Sequence, residues 1–244
     1  MTPRPSPVDV LIVGLGPAGA TLANLLGRYG VHTLGVDREA GSFMAPRAIA
    51  LDNEALRVLQ LAGLQEGDFE TIAIPHVQMH CPVFGRYSQA HTAGQLDGHP
   101  RLVTFYQPEL EAVLRERLAC HAHVGVATRT ELLRFTQDDM GVRATLRGPD
   151  GGEFIVQARF MVGVDGANSL VRKLLGLEFQ GRSFQQDWLI VDAKGVPTPI
   201  DHVEFICDPK RPTPHMVAPG GRQRWEFMLR PGETREQMEQ PEAV

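Results

Sequence analysis

Three glycines near the start of the chain, Gly14, Gly16 and Gly19, follow the spacing G-x-G-x-x-G. Between a strand and a helix, the first glycine allows a tight turn, the second lets the backbone approach a diphosphate, and the third lets helix pack on strand. Pro17 suits the first turn of a helix, whose unpaired N–H groups and positive dipole end attract anions. The spacing therefore predicts a cradle for the diphosphate of a dinucleotide.

The flanking sequence supplies the elements that this cradle needs. The run Val10–Val13 is apolar and β-branched, as expected of a parallel strand buried on both faces. A helix is predicted from Pro17 to just before Gly30. A second strand, His32–Val36, ends at Asp37. A carboxylate at that point binds a ribose hydroxyl and repels a 2′-phosphate, which favours NAD and FAD over NADP at this site.

The composition is that of an ordinary globular chain. Its 244 residues are 43% hydrophobic and 22% charged, enough for one large or two small domains. A net charge of -5 offers no basic surface for nucleic acid, and no apolar run is long enough to span a bilayer. The start of the chain lacks the apolar stretch of a secretion signal, and Cys81, Cys120 and Cys207 are far apart in sequence. We therefore expect a cytoplasmic protein with reduced thiols.

Two arginines and a glutamine are further candidate ligands. Arg38 and Arg47 lie in the loop after Asp37, at the carboxyl edge of the predicted sheet, where ligands bind. The guanidinium of Arg47 could reach a phosphate or a flavin edge from there, and the alternative is a surface arginine. Gln107 begins a predicted helix with Pro108 in its first turn. A polar residue there is usually only a cap, so spacing alone assigns Gln107 no ligand.

A second strand, turn and helix are predicted further along the chain. The apolar strand Phe160–Val164 ends in the turn Asp165-Gly166, and a short helix covers Ser169–Leu175. This arrangement would again aim helix N–H groups at the ligand edge of the sheet. From the residues alone, Asp165-Gly166 is equally well an ordinary turn, and Arg172 is equally well a surface charge on the helix.

The remaining segments have the alternation and turn residues of antiparallel strands. Residues 71–105 predict short strands lying off the parallel sheet, with a mobile loop from Ser88 to His99, and residues 131–156 predict a small three-stranded meander. We therefore predict an α/β fold. A Rossmann-like domain with a parallel sheet and an antiparallel meander insert covers residues 1–178, and a mostly antiparallel β-sheet region covers residues 179–244.

Together these motifs resemble the single-component flavoprotein aromatic hydroxylases of the para-hydroxybenzoate hydroxylase type. The stretch Asp-Gly-Ala-Asn-Ser-Leu-Val-Arg, residues 165–172, is similar to the family's Asp-Gly motif, which serves FAD and the nicotinamide donor. The segments Pro46-Arg47-Ala48 and Gln107-Pro108-Glu109-Leu110 are similar to family segments whose arginine and glutamine touch the flavin. Within the family, residues 207–212 and 227–234 look most like the 3-(3-hydroxyphenyl)propionate hydroxylases.

The resemblance implies a cofactor, a reaction and a set of site residues. It implies FAD with NADH or NADPH as co-substrate, and hydroxylation of a small phenolic acid by O2 through a flavin C4a-hydroperoxide. Because the cofactor carries this chemistry, no catalytic side chain is named. No metal is expected either, since the clustered histidines and cysteines lack paired C-x-x-C spacing. In the second region, His215, Arg222 and Arg224 are candidate contacts for the substrate, or else surface residues. The cofactor-binding residues that we predict are Gly14, Gly16, Pro17, Ala18, Gly19, Asp37, Arg38, Arg47, Gln107, Asp165, Gly166 and Arg172.

The sequence also departs from the family pattern. Family members continue well past this length and carry a third motif, Gly-Asp followed by small residues and histidine, which nothing here fits. We therefore expect the C-terminal part of the family fold to be absent, and a complementing C-terminal fragment or a homo-oligomer to be a candidate partner. Two alternatives stay open. One is a non-catalytic nucleotide-binding remnant or half of a split enzyme, and the other is an NAD-dependent reductase.

Overall fold

The apolar run near the start of the chain forms the central strand β1 (Val8–Val13) of a six-stranded sheet. Its side chains enter two separate cores, because Leu11 and Val13 pack on one face while Val10 and Ile12 pack on the other. The prediction of a strand buried on both faces is confirmed. The structure is a computed structural model and describes residues 7–42, 44 and 47–240. Pro46 and the first six residues, which the sequence analysis named, lie outside the described residues.

The helices and strands are as follows. After β1, the strands in chain order are β2 (Thr33–Asp37), β3 (Ala50–Asp52), β4 (Thr71–Ala73), β5 (His76–Cys81), β6 (Gly85–His91), β7 (Gln95–Leu96), β8 (His99–Pro100), β9 (Leu102–Phe105), β10 (Val124–Thr128), β11 (Glu131–Asp138), β12 (Gly141–Arg147), β13 (Glu153–Gly163), β14 (Trp188–Lys194), β15 (Val203–Ile206), β16 (Thr213–Ala218) and β17 (Arg222–Met228). The helices are α1 (Pro17–Arg28), α2 (Asn53–Leu61), α3 (Gln107–Arg117), α4 (Leu170–Leu174) and α5 (Arg235–Met238), with a 3₁₀ turn at Leu118–Cys120.

The chain divides into two units, of which unit 1 comprises Met1–Arg47, Val58–Phe69 and Gln107–Gln180. Its sheet has the strand order β10-β2-β1-β13-β12-β11. The first four strands pair in parallel, and β11, β12 and the first half of β13 form an antiparallel meander. Helix α1 packs on one face of the sheet through an apolar core. The predicted α/β class, with its parallel sheet and meander, is confirmed.

The meander and the parallel layer share one strand. The meander was predicted to end at residue 156 and a separate strand to begin at Phe160, whereas β13 runs without a break through both segments. Nothing between them interrupts the strand, because Gln157-Ala158-Arg159 contains no glycine or proline. Ala158 pairs with Val8 on one side and with Val142 on the other. The meander is therefore a continuation of the parallel sheet.

Unit 2 comprises Ala48–Arg57, Glu70–Tyr106 and Gly181–Val244. Its larger sheet has the order β14-β17-β16-β15-β5-β6 and is antiparallel except for the pair β15 and β5. Its core contains Ile74, Val203 and Met216. The prediction of a mobile loop from Ser88 to His99 was wrong, because β6, β7 and β8 occupy most of this segment. Strand β6 pairs with β5 as far as His91.

The units interleave along the chain. Residues 70–106 belong to unit 2 because β5 forms backbone hydrogen bonds with β15, more than a hundred residues later. The predicted division into domains at residue 178 stays a prediction about the family fold. The two structural units change between Gln180 and Gly181, and they also change at residues 48, 58, 70 and 107.

A buried polar cluster joins the helices of unit 1. Asn24 is fully buried, and its amide donates to the backbone oxygens of Ala20 and Leu114, each at 2.9 Å. Because the amide nitrogen is used in this way, the oxygen Oδ1 is left to accept from His121 Nε2 at 3.2 Å. Burial, with Arg117 close by, lowers the pKa of His121. The folded state therefore favours the neutral imidazole.

Acid is expected to weaken the fold through His121. Since its folded-state pKa lies below the ordinary value of 6.5, its stabilising contribution is complete above that pH and is lost as the pH falls from there towards the lowered pKa. We expect the free energy of unfolding, from urea titrations, to fall more steeply between about pH 7.5 and about pH 5 in the wild type than in His121→Gln. His123→Gln, at an exposed position, is the control and should follow the wild type. Equal pH dependence in the wild type and His121→Gln would contradict the assignment.

Candidate active site

The two predicted motifs meet at one edge of the sheet in unit 1. Strands β1 and β13 run in parallel and are paired up to Val13 and Gly163, so their carboxyl ends lie side by side. The turn at Gly14 follows the first strand, and the turn at Asp165 follows the second. A Cβ added at Gly14 would stand 2.5 Å from the backbone oxygen of Val164. The motifs are therefore close enough to contact one extended ligand.

Each glycine of the first motif has a distinct place in the structure. Gly14 has a φ of 101°, at which the backbone of a residue with a side chain would be strained. Its neighbour across the turn is the backbone of Val164. A Cβ on Gly19 would collide with the backbone oxygen of Gly14. A Cβ on Gly16, by contrast, would meet nothing within 4 Å. Gly14 and Gly19 therefore shape the turn, whereas Gly16 leaves open space at the start of α1.

A cavity opens at this edge and collects most of the predicted site. Of the residues predicted for the site, all of which are described, Gly19 and Arg172 do not line this cavity. Arg172 instead donates to the backbone oxygen of Ala167 at 3.0 Å and lies over the ring of Phe179 at 4.9 Å. The predicted residues that line the cavity are Gly14, Gly16, Pro17, Ala18, Asp37, Arg38, Arg47, Gln107, Asp165 and Gly166.

Helix α3 contributes a polar stripe to the cavity. Gln107, Glu111 and Arg115 all line it, and their spacing of four residues places them on one face of the helix. The sequence analysis named Gln107 and missed the other two. The signal that could have identified them is the four-residue spacing of these polar residues. It places them beside the buried positions Leu110 and Leu114 of the same helix.

Asp37 is fixed at the end of β2 by three donors. Its Oδ2 accepts from the backbone N–H of Leu15 at 2.9 Å and from Arg115 Nη2 at 2.8 Å, and its Oδ1 accepts from the backbone N–H of Glu39 at 2.9 Å. The side chains of Asp37 and Arg115 are only 12% and 16% exposed. Asp37 therefore presents an oriented carboxylate at the cavity wall.

Gln107 connects α3 to the loop after β2. Its Nε2 donates to Glu111 Oε1 at 2.7 Å, and its Oε1 accepts from the backbone N–H of Arg47 at 2.9 Å. Gln107 and Glu111 are both buried. Gln107 thus does more than begin a helix, because it holds the backbone at Arg47 against the cavity.

The carboxylate of Asp165 is used within its own turn. Its Oδ1 accepts from the hydroxyl of Ser169, and its Oδ2 accepts from the N–H groups of Leu170 at 2.6 Å and Val171 at 3.2 Å. The hydroxyl oxygen of Ser169 accepts from the N–H of Arg172 at 3.0 Å. The expectation that this short helix aims free N–H groups at a ligand was wrong, since Asp165 and Ser169 already bind them.

His215, a candidate substrate contact in unit 2, is buried in a network of its own. Its two ring nitrogens lie 3.0 Å from Glu204 Oε1 and 2.9 Å from Gln223 Oε1. The ring also stacks on Trp225 with 4.2 Å between ring centres. The alternative of a surface position was wrong for His215, whose partners all lie within the same sheet.

The two candidate arginines of unit 2 are also engaged. Arg224 is buried and pairs with both carboxylate oxygens of Asp192 at 2.7 Å, so the surface alternative was wrong for it too. Arg222 lies 4.0 Å over the ring of Tyr106. Burial raises the pKa of Glu226 on the same strand. These residues organise the sheet of unit 2, and no substrate role follows from their contacts.

Within residues 7–42, 44 and 47–240, no group of three or more His, Cys, Asp or Glu side chains is arranged to hold a metal ion. In the same part of the chain, no helix combines the length and apolar character that crossing a membrane requires.

Comparison with known proteins assigns the chain to a family. The FAD binding domain family matches residues 7–244. The chain is 39% identical over 236 residues to a 3-(3-hydroxy-phenyl)propionate/3-hydroxycinnamic acid hydroxylase of Comamonas testosteroni. This match covers 96% of this chain and 40% of the relative. The protein of the same name from Escherichia coli K12 is 34% identical, and the match covers 96% of this chain and 43% of that protein. The chain therefore belongs to the FAD-binding domain family, and it spans less than half the length of these relatives.

Solved structures agree with this assignment. The p-nitrophenol 4-monooxygenase PnpA from Pseudomonas putida DLL-E4 has a TM-score of 0.84 and 22% identity, with 95% of this chain and 60% of that chain covered. An aklavinone-11 hydroxylase in complex with FAD and aklavinone has a TM-score of 0.73 and 26% identity, with 99% of this chain and 49% of that chain covered. The fold is that of FAD-dependent monooxygenases, and the cofactor of the family is FAD.

Gly16 provides the sharpest test of the cradle. A methyl group added there has free space in the protein but would occupy the approach to the start of α1. We expect Gly16→Ala to keep the melting temperature of the FAD-free protein and to raise the Kd for FAD by about tenfold or more, measured by flavin fluorescence quenching. Gly125→Ala in β10, where an added Cβ makes only ordinary contacts, is the matched control. Unchanged FAD affinity in Gly16→Ala would show that the ligand does not approach this turn.

The pair formed by Arg115 and Asp37 is expected to stabilise unit 1. Removing one partner of a mostly buried ion pair leaves an uncompensated charge, so Arg115→Met should lower the free energy of unfolding by about 3 kcal/mol. The double variant with Asp37→Asn should lose less than the sum of the single variants in urea titrations. Arg134→Met is the control, since its pair with Glu153 is exposed and worth at most about 1 kcal/mol. Strict additivity of Arg115→Met and Asp37→Asn would contradict the coupling.

Proposed function

We propose that this chain binds FAD in the cavity of unit 1 and serves a monooxygenase that hydroxylates a phenolic acid similar to 3-(3-hydroxyphenyl)propionate with NAD(P)H and O2. The observation that carries the proposal is the meeting of the Gly14 turn and the Asp165 turn at one cavity, although about 150 residues separate them. The names of the relatives support the substrate class.

The residues of the cavity suit the parts of FAD in a definite order. The open space at Gly16 and the N–H groups of the first turn of α1 would receive the diphosphate. The oriented carboxylate of Asp37 would accept a hydrogen bond from the adenosine ribose. Arg47 and Gln107, joined by a hydrogen bond, would bind nearer to the flavin ring. We include Arg38, Asp165 and Gly166 as further lining residues of the same site.

The protein's part in the chemistry is binding and positioning. When bound, FAD supplies electron transfer from NAD(P)H to O2 and the insertion of one oxygen atom into the phenolic ring. The chain fixes the cofactor through backbone groups and through side chains that already hold one another, such as Asp37 with Arg115 and Gln107 with Glu111. Such preorganisation avoids the cost of ordering the site when the ligand arrives. We assign no catalytic side chain.

The proposal is tested with the purified chain in three steps. First, bound FAD is measured from its absorbance after gel filtration. Second, the consumption of NADH and of NADPH is followed with and without 3-(3-hydroxyphenyl)propionate. Third, 3-phenylpropionate, which lacks the phenolic hydroxyl, serves as the matched control compound. We expect bound FAD at about one per chain and nucleotide consumption that only the phenolic acid stimulates.

The other outcomes separate the alternatives. Bound FAD without stimulation by the phenolic acid would contradict hydroxylation by this chain and would favour a nucleotide-binding remnant or half of a split enzyme. Binding of NAD without FAD would contradict the cofactor assignment and would favour a reductase that uses Asp37.

A further inference from the structure

Two cysteines lie at the ends of neighbouring strands of unit 2, Cys81 as the last residue of β5 and Cys207 directly after β15. Strand β15 pairs in parallel with β5 up to Ile206 and His80, and the N–H of Cys207 donates to the backbone oxygen of His80 at 2.7 Å. This bond belongs to the pair formed by Ile206 and His80, and Cys207 and Cys81 are the next residues along the two parallel strands, one position beyond that pair. Neighbouring strands lie about 4.8 Å apart, and a disulfide requires Cα atoms about 4.4–6.8 Å apart. At this general spacing, the position directly after the pair of Ile206 and His80 falls within the range of a disulfide bond.

The hydroxyl of Tyr87 shows that both thiols share one face of the sheet. It donates to Cys207 Sγ at 3.3 Å and to Met79 Sδ at 3.6 Å. Met79 and Cys81 are two residues apart on β5, so their side chains point to the same side of the strand. Cys207 and Cys81 consequently lie on the face that carries Tyr87.

Tyr87 and its neighbours leave the two cysteines open to solvent. The hydrogen bond to Cys207, followed by desolvation and by electrostatic interaction with Cys207 and Cys81, raises the pKa of Tyr87. The phenol therefore stays protonated at neutral pH and keeps its hydrogen bond to sulfur. Tyr87 is 54% exposed and Met79 is 41% exposed, and both cysteines are partly exposed. A small oxidant in solution can reach the pair.

We propose that Cys81 and Cys207 form a reversible disulfide when the protein is exposed to a hydroperoxide such as hydrogen peroxide. One thiol, as its thiolate, attacks the peroxide, so that an S–O bond forms, the O–O bond breaks, and a sulfenic acid and one water result. The second thiol then attacks that sulfur, the S–S bond forms, the S–O bond breaks, and a second water leaves. Two thiols and one peroxide thus give one disulfide and two waters, and a dithiol reductant reverses the change.

This inference does not depend on the proposed hydroxylase function. It concerns a thiol pair within one sheet of unit 2, and the cavity of unit 1 contains no cysteine among its lining residues. The third cysteine, Cys120, is exposed at the end of the 3₁₀ turn in unit 1. It supplies an internal comparison, because simple exposure to peroxide would oxidise it first.

The test uses the full chain treated with a small molar excess of hydrogen peroxide. Remaining thiols are then alkylated, and peptides are analysed by mass spectrometry without reduction. We expect the thiol count to fall from three to one, a cross-linked peptide pair containing Cys81 and Cys207, and recovery of all thiols with dithiothreitol. Cys81→Ser and Cys207→Ser should lose the cross-link, whereas Cys120→Ser should keep it.

The result that would overturn the proposal can be read in the wild-type protein alone, so it does not rely on the variants folding. Oxidation confined to Cys120, or full alkylation of Cys81 and Cys207 after peroxide treatment, would exclude the disulfide. A cross-link between chains, detected by electrophoresis without reductant, would also contradict it.

Discussion

The structure of unit 1 depends on the parallel pairing of β1 with β13. This pairing brings two turns that are distant in sequence to the same sheet edge, and the backbone of Gly14 comes so close to Val164 that no Cβ fits between them. The glycine is therefore required by its neighbour across the turn as much as by its own φ. The cavity exists because both turns end at this edge.

Around that edge, side chains of unit 1 hold one another in position before a ligand arrives. Asp37 is oriented by Arg115 and by the N–H of Leu15, and Gln107 is oriented by Glu111. Because the two partners on α3 are spaced along one helix face, a single element supports both the proposed ribose end and the proposed flavin end of the cavity. Such a site has few side-chain rotations left to restrict on binding.

Much of unit 1 follows from local sequence signals. The strand at Val10–Val13, the glycine spacing and the start of α1 at Pro17 were predictable because each has a local steric cause. The roles of Asp165 and Arg115 were not, since they depend on partners fixed only when the chain folds. The same reason applies to the sheet of unit 2, because no local signal near β5 predicts that it pairs with β15. The exposed-surface alternative for Arg224 failed likewise, because Asp192 lies on another strand.

The most direct test of the central claim is a crystal structure of this chain with FAD. The account predicts one FAD whose diphosphate lies at the backbone of Gly16 and the start of α1, whose adenosine ribose contacts Asp37, and whose length extends past the turn at Asp165-Gly166. A diphosphate bound elsewhere, or an FAD that contacts only one of the two turns, would contradict it.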